Sequence, residues 1–291
     1  MTSIYNINNI IGFICQVYSR QARTHHHTPG SQPSRTAPTC AATTVCFLLV
    51  SFLLTLPAIP VLATEPSDRE CVIILHGLGR SAFSMGAIED ALSEAGYCVW
   101  NSGYPSRAAD IEWLAASAIN DGLAYCESQQ AARIHFVTHS LGGILVRQYL
   151  QDTPIDNLGR IVMLSPPNQG SEVADQLQDH AVFRFATGPS GQQLGTGVNS
   201  LPLRLAPIPG EIGIITGTRS LDPWFSPMIP GEDDGKVSVE HAKLAEMTDF
   251  LVVDNSHTFI MRDDTVIAQV LKFLREGKFN RGQGGATPGG S

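Results

Sequence analysis

The stretch FVTHSLGGIL, residues 136–145, decides how this chain is read. An apolar, β-rich run stops at Ser140, and Gly142 and Gly143 follow at once. RIHFVTHS before it reads as a strand and residues 141–151 as a helix, so the serine lies at a strand-to-helix reversal. A chain reversing that sharply needs small side chains nearby; Gly142 supplies one and Gly143 adds room. The hydroxyl then stands above the C-terminal edge of a sheet, where a helix N-terminus favours negative charge. A serine that only capped the helix would account for the hydroxyl but leave the glycine pair unexplained.

Working outward, CVIILHG (residues 71–77) is a continuous apolar run, as expected of a parallel strand buried on both faces. FSMGAIEDALSEAG places Phe83, Ile88 and Leu92 at helical spacing, with Gly96 as a stop. YCVWNSGYPS reads as a short strand and turn. Residues 110–127 read as a helix with Ile111, Leu114, Ile119 and Leu123 inward. RIVMLSPP is the next strand, 172–178 a short helix, EIGIITG a strand, 250–254 the last strand and 266–274 a closing helix. Six strands alternating with helices predict an α/β fold: a mostly parallel sheet with helices on both faces. Residues 169–210 contain no strand signal and are too long for an ordinary connection, which predicts a lid-like insertion. The expected domain spans 64–276, followed by a Gly-rich, disordered tail at 277–291.

The chain has 291 residues, 43% hydrophobic and 16% charged, with net charge −8. Residues 1–63 carry Arg20, Arg23 and Arg35 and no acid, which leaves −11 on the remainder. An acidic body repels phosphate backbones, so no nucleic-acid partner is expected. VCFLLVSFLLTLPAIPVLA, residues 45–63, is uncharged and ends on small residues, like an export signal cleaved after Ala63. Its length also approaches the ~20 residues that span a bilayer, so a membrane anchor stays open; Pro57 and Pro60 favour the signal. The expected location is periplasmic or secreted. Past residue 63 there are three cysteines, Cys71, Cys98 and Cys126, with no CxxC pair, so no zinc or iron–sulfur site is expected. Cys71 and Cys126 fall at the N-terminal edge of the sheet, where export would permit a bridge between them. Cys98 reads as a small buried hydrophobe.

Ser140, in THSLGG between a strand and a helix, resembles the nucleophile elbow of the α/β-hydrolase superfamily, in particular bacterial lipases and esterases. Thr138 stands where that pattern has its first glycine. The resemblance extends in ordered motifs over roughly residues 71–274, including SPPNQGSEVADQL. It implies a Ser–acid–His order along the chain. His257, in VVDNSHTFIM after the last strand, occupies the place of the family's histidine; His241 lies in SVEHAKLAEM, which reads as a surface helix. GEDDGKVSVE resembles the turn that carries the acid, which points to Asp234, with Asp222 as second candidate, Asp233 as a one-residue shift, and Asp254 too near His257. LHGLGR resembles the turn that completes the oxyanion hole, so the backbone N–H groups of Leu78 and Leu141 are the expected donors, with His76 structural.

The implied activity is hydrolysis of carboxylic esters, lipids among them, through an acyl-enzyme on Ser140, with His257 as base and Asp234 orienting it. No cofactor or metal is implied. Some related lipases hold calcium through an aspartate two residues past the histidine; Phe259 stands there, so no calcium is expected at that place. An acyltransferase, thioesterase or amidase on the same residues, and a non-catalytic binding module, are the alternatives. Phe183, Phe185, Leu201, Leu203, Leu205, Trp224, Phe225, Met228 and Ile229 are the candidates for an acyl pocket; packing of the insertion against the body is the competing account. The expected partner is a small acyl ester or lipid, with membrane association through residues 45–63.

Overall fold

The computed structural model describes residues 68–221 and 224–281. Six strands lie among them: β1 (Glu70–Leu75), β2 (Cys98–Trp100), β3 (Arg133–His139), β4 (Leu158–Leu164), β5 (Ile212–Gly217) and β6 (Asp249–Val253). They form one sheet in the order β2-β1-β3-β4-β5-β6, and every pairing is parallel. The helices are α1 (Gly86–Glu94), α2 (Ile111–Ser128), α3 (Leu141–Asp152), α4 (Glu172–Leu177), α5 (Ala181–Gln192), α6 (Leu201–Arg204) and α7 (Asp264–Glu276).

Alternation along β1 divides the core between the two faces of the sheet. Cys71, Ile73 and Leu75 join Ile111 and Leu114 of α2 and Ile144 and Leu145 of α3. Val72 and Ile74 join Ile88 and Leu92 of α1 and Val270 and Phe273 of α7. These β1 side chains are fully buried, and each aliphatic one contributes about 1.5–3 kcal/mol relative to exposure. Burial on both faces is why the run is continuously apolar rather than alternating. Local chemistry sets the helix ends. The Asp110 carboxylate accepts the Trp113 N–H at the start of α2, and the Asp263 carboxylate accepts those of Thr265 and Val266 at the start of α7. α7 stops at Gly277, whose φ of 71° suits glycine.

Residues 169–210 hold α4, α5 and α6 and no strand. α5 is broken at Gly188 (φ 65°), where any Cβ would lie 1.9 Å from the Arg107 carbonyl oxygen. The rear of the insertion is tied down by buried Arg147 of α3. Its guanidinium donates to the carbonyls of Asn168 (2.8 Å), Pro202 (3.1 Å) and Leu205 (3.2 Å), and burial lowers its pKa to about 10.

Several expectations need correction. Phe83, expected inward on a helix, is 82% exposed in a 3-10 turn (Ala82–Met85) ahead of α1. SVEHAKLAEM forms turns rather than a helix: the N–H groups of Lys243 and Met247 donate only three residues back, to the carbonyls of Glu240 and Leu244. Cys71 and Cys126 are neighbours, as expected, but as free thiols, and Cys98 joins them through its register with Cys71 on adjacent strands. The hydrogen bond with Cys126 and burial push the Cys71 thiol far up, and burial raises Cys98 to about 11, so these two thiols stay protonated near neutral pH. Residues 45–63, Asp222 and most of the expected tail lie outside the described residues. Among the described residues no helix is long and apolar enough to cross a membrane.

Candidate active site

Ser140 joins β3 to α3 with φ 52° and ψ −119°, a conformation that costs an L-residue of order 1–3 kcal/mol. The turn is held in place by its own N–H, which donates to the Leu164 carbonyl at 2.9 Å, and by the Gly143 N–H, which donates to the Ser140 carbonyl at 3.0 Å. Gly142 lets α3 start close against β1: a Cβ there would lie 2.5 Å from the Leu75 carbonyl oxygen. Thr138, in the place of the pattern's first glycine, is fully buried at the end of β3 and donates its hydroxyl to the Val162 carbonyl at 3.4 Å.

The chain brings Ser140, His257 and Asp234 together. His257 Nε2 is 3.1 Å from Ser140 Oγ, and His257 Nδ1 is 2.9 Å from Asp234 Oδ2. Ser140 is 9% exposed and His257 5%, so a small opening reaches the hydroxyl and the imidazole edge. Asp234 is buried. Burial raises its carboxyl pKa, but the charge and hydrogen bond of His257 and the Val237 N–H act more strongly, and the net shift is downward. The remaining oxygen accepts the N–H groups of Lys236 (3.0 Å) and Val237 (2.9 Å). The two loops are also joined directly, because the His257 N–H donates to the Asp234 carbonyl at 2.9 Å. With Nδ1–H held by the carboxylate, Nε2 is left able to take the Ser140 proton.

Asp233 faces elsewhere: its carboxylate accepts the Ser226 hydroxyl (2.8 Å) and the Gly235 N–H (2.7 Å), which shapes the turn. Asp254 is exposed. His241 pairs with Glu172 at 3.0 Å. His76 stacks on Tyr104 (ring centroids 4.1 Å); Nε2 accepts the Tyr104 N–H (3.3 Å), so Nδ1 donates to the Gly77 carbonyl at 2.9 Å. Burial lowers its pKa, and the neutral ring braces the turn that presents Leu78. The N–H groups of Leu78 and Leu141 have no acceptor among the described residues; Leu141 directly follows Ser140, and Leu78 lines the same cavity as Ser140.

One residue escaped the sequence reading although it lies in the deciding stretch. His139 is fully buried, and its Nε2 donates to the His257 carbonyl at 2.9 Å. Burial, then the neighbouring His257, hold its pKa well below the usual value, so the ring is neutral and pins the His257 backbone. Its only signal in the sequence was a histidine directly before the serine.

A cavity of about 290 Å³ opens over Ser140. Of the nine side chains expected to line it, Phe183 and Phe225 do so. Leu201 and Ile229 are buried in packing, Leu205 lies against the core, and Leu203, Phe185 and Trp224 are 43%, 89% and 80% exposed; Met228 also lies off it. Apolar lining comes instead from Leu78, Pro167, Val173, Ala174, Leu194 and Val237. Among the described residues no group of three or more His, Cys, Asp or Glu side chains is arranged to hold a metal ion.

A family model described as the alpha/beta hydrolase family matches residues 72–268. No curated protein matches. Solved structures do. The chain is similar to the mature form of Bacillus licheniformis lipase BlEst2, at 16% identity and a TM-score of 0.61, over 72% of this chain and 94% of that one. It is similar to phospholipase PlaB from Legionella pneumophila, at 19% identity and a TM-score of 0.57, over 72% of this chain but 59% of that longer protein. The metagenomic carboxyl esterase MGS0156 aligns at 17% identity and a TM-score of 0.53, over 67% and 66% of the two chains.

Proposed function

The chain belongs to the alpha/beta hydrolase family, and from that premise we propose that it is a serine hydrolase cleaving carboxylic esters. The observation that carries the proposal is the continuous hydrogen-bonded series Ser140 Oγ, His257, Asp234 beneath an apolar cavity. Ser140 Oγ attacks the ester carbonyl while His257 Nε2 takes its proton. Charge builds on the carbonyl oxygen, which accepts the N–H groups of Leu78 and Leu141. Asp234 stabilises the imidazolium and keeps the ring oriented. Collapse of the intermediate breaks the C–O bond; the alcohol leaves with the proton from His257, and the acyl group stays on Ser140. Water, activated by His257, then attacks the acyl-enzyme, releasing the acid and restoring the hydroxyl. The lipase and esterase relatives support this class through their shared fold, and the apolar lining favours an acyl chain over a polar group.

A fluorophosphonate probe tests it. Wild-type protein is expected to be labelled and Ser140→Ala spared, with ester turnover lowered at least about 10⁴-fold; Asp234→Asn should cost about 10⁴-fold in kcat. A parallel panel of esters, thioesters and amides separates hydrolysis of esters from the other acyl chemistries. Equal labelling of both proteins, or a folded protein inert to the whole panel, overturns the assignment. Export through residues 45–63 belongs to the same proposal; N-terminal sequencing of the exported protein should begin at Thr64.

A further inference from the structure

Next to the Ser140 cavity lies a groove of about 430 Å³, whose lining includes Gly79, Arg80, Ser106, Arg107 and Phe185. Gly79 and Arg80 line both spaces, so the groove begins at the turn that presents Leu78. Arg80 reaches close to the reacting groups: its Nη2 donates to the carbonyl of Thr258, next to His257, at 3.5 Å. Arg107 donates from Nη1 to the Ala186 carbonyl at 3.1 Å, which fixes its stem against α5. Neither arginine forms an ion pair among the described residues. No carboxylate lines either space among those residues. This is unexpected in a body of net charge −11, where acids outnumber bases 27 to 16.

A guanidinium carries five N–H donors, and here each spends one on a neutral carbonyl. The remaining donors and both positive charges suit a group with several anionic oxygens, which arginine holds better than any other side chain. The first cavity has an apolar lining from Val173, Ala174, Phe183 and Leu194, which suits the acyl chain. We propose that Arg80 and Arg107 form a subsite for a phosphate on the alcohol portion of the ester, so that the substrate is an anionic acyl ester rather than a neutral one. The inference rests on the ester-hydrolase reading and specifies its substrate class. Two sources share this chemistry: a phosphate headgroup in a lipid surface and a soluble phosphorylated ester.

The test compares dihexanoyl glycerophosphate with dihexanoylglycerol, both below aggregation, at low salt. The expected ratio of kcat/KM, anionic over neutral, is at least tenfold in the wild type. It should fall several-fold or more in Arg80→Gln and in Arg107→Gln, survive largely in Arg107→Lys, and shrink as salt screens the charges. Arg107 is exposed, so its variants report binding rather than folding. A preference already present with the monomeric ester assigns a soluble source. A preference that emerges only on phosphatidylglycerol vesicles, against vesicles of neutral lipid, and is lost in both glutamine variants, assigns the lipid surface. A ratio near one with both monomers and vesicles, or one unchanged in both glutamine variants, overturns the subsite while leaving ester hydrolysis intact. Calorimetry of hexyl phosphate with Ser140→Ala protein reads the subsite without turnover. If no ester is cleaved, binding heat that disappears on adding Arg80→Gln and Arg107→Gln still supports the subsite, and absence of heat overturns it.

Discussion

Ser140 holds a backbone conformation that glycine adopts at little cost and serine does not. The strain is tolerated because hydrogen bonds to Leu164 and Gly143 and the packing of α3 define the turn from both sides. Ser140→Gly is therefore expected to be more stable than Ser140→Ala by about 1 kcal/mol, measured by chemical denaturation; equal stabilities would mean the turn stores no strain. Adjacent acids show how far residue-level inference reaches. Asp233 and Asp234 share one turn and one charge, and GEDDG names both. Which carboxylate meets His257 depends on the Asp233–Ser238 bridge, which turns one inward and ties the other to Ser226 and Gly235. A one-residue offset in a tight turn reverses side-chain direction, and the amino-acid order alone does not encode that direction.

At the scale of elements, the β3–α3 unit was legible because its signals are local: an apolar strand, a serine, then small residues opening a helix. Gly142 is the position on which this unit depends. In Gly142→Ala the new Cβ would meet the carbonyl of Leu75 at 2.5 Å, and backbone cannot give way as a flexible side chain can. A loss of about 1–3 kcal/mol is expected, read as a lower denaturation midpoint, together with a fall in ester turnover because the Leu141 N–H moves with the helix. A variant as stable and active as the wild type would show that the close approach is dispensable. The insertion was legible in extent but not in contacts. Its Phe and Leu residues read alike in sequence, yet Leu201 packs inward, Phe183 lines the cavity and Phe185 faces solvent. The break at Gly188 and the clamp from Arg147 redirect the helices, so no single period runs through the segment.

At the scale of the whole molecule, three of the four histidines buried among the described residues have pKa values pushed down and stay neutral: His76, His135 and His139. Burial lowers the pKa of each, that of His135 to about 4. The unfolded chain takes up protons at these rings near pH 6.5 while the folded chain does not, so acid favours unfolding. Stability should accordingly fall as pH drops from about 6.5 towards 4. His135, held down by burial and then by the charges of Arg133 and Arg160, contributes up to about 3 kcal/mol of that loss. The depressed pKa of Asp234 works in a lower window: it stabilises above the usual carboxylate range and is lost only as pH falls through its folded value. Calorimetric melts from pH 7.5 to 4.5 should show Tm declining below pH 6.5; a flat profile would contradict the neutral buried state. The sequence by itself determined the parallel six-stranded architecture and the placement of Ser140, because strand burial, helix periodicity and a tight turn are written in contiguous residues. It also pointed to His257, since the histidine follows a recognisable last strand. Only the tertiary structure decided between Asp233 and Asp234, brought His139 behind His257, gathered three cysteines, and placed Arg80 and Arg107 in a groove next to the serine's cavity with no acid lining it. Each of these depends on distances between segments far apart in the chain, and such distances follow from how the layers pack, a property of the whole set of contacts and of no one stretch.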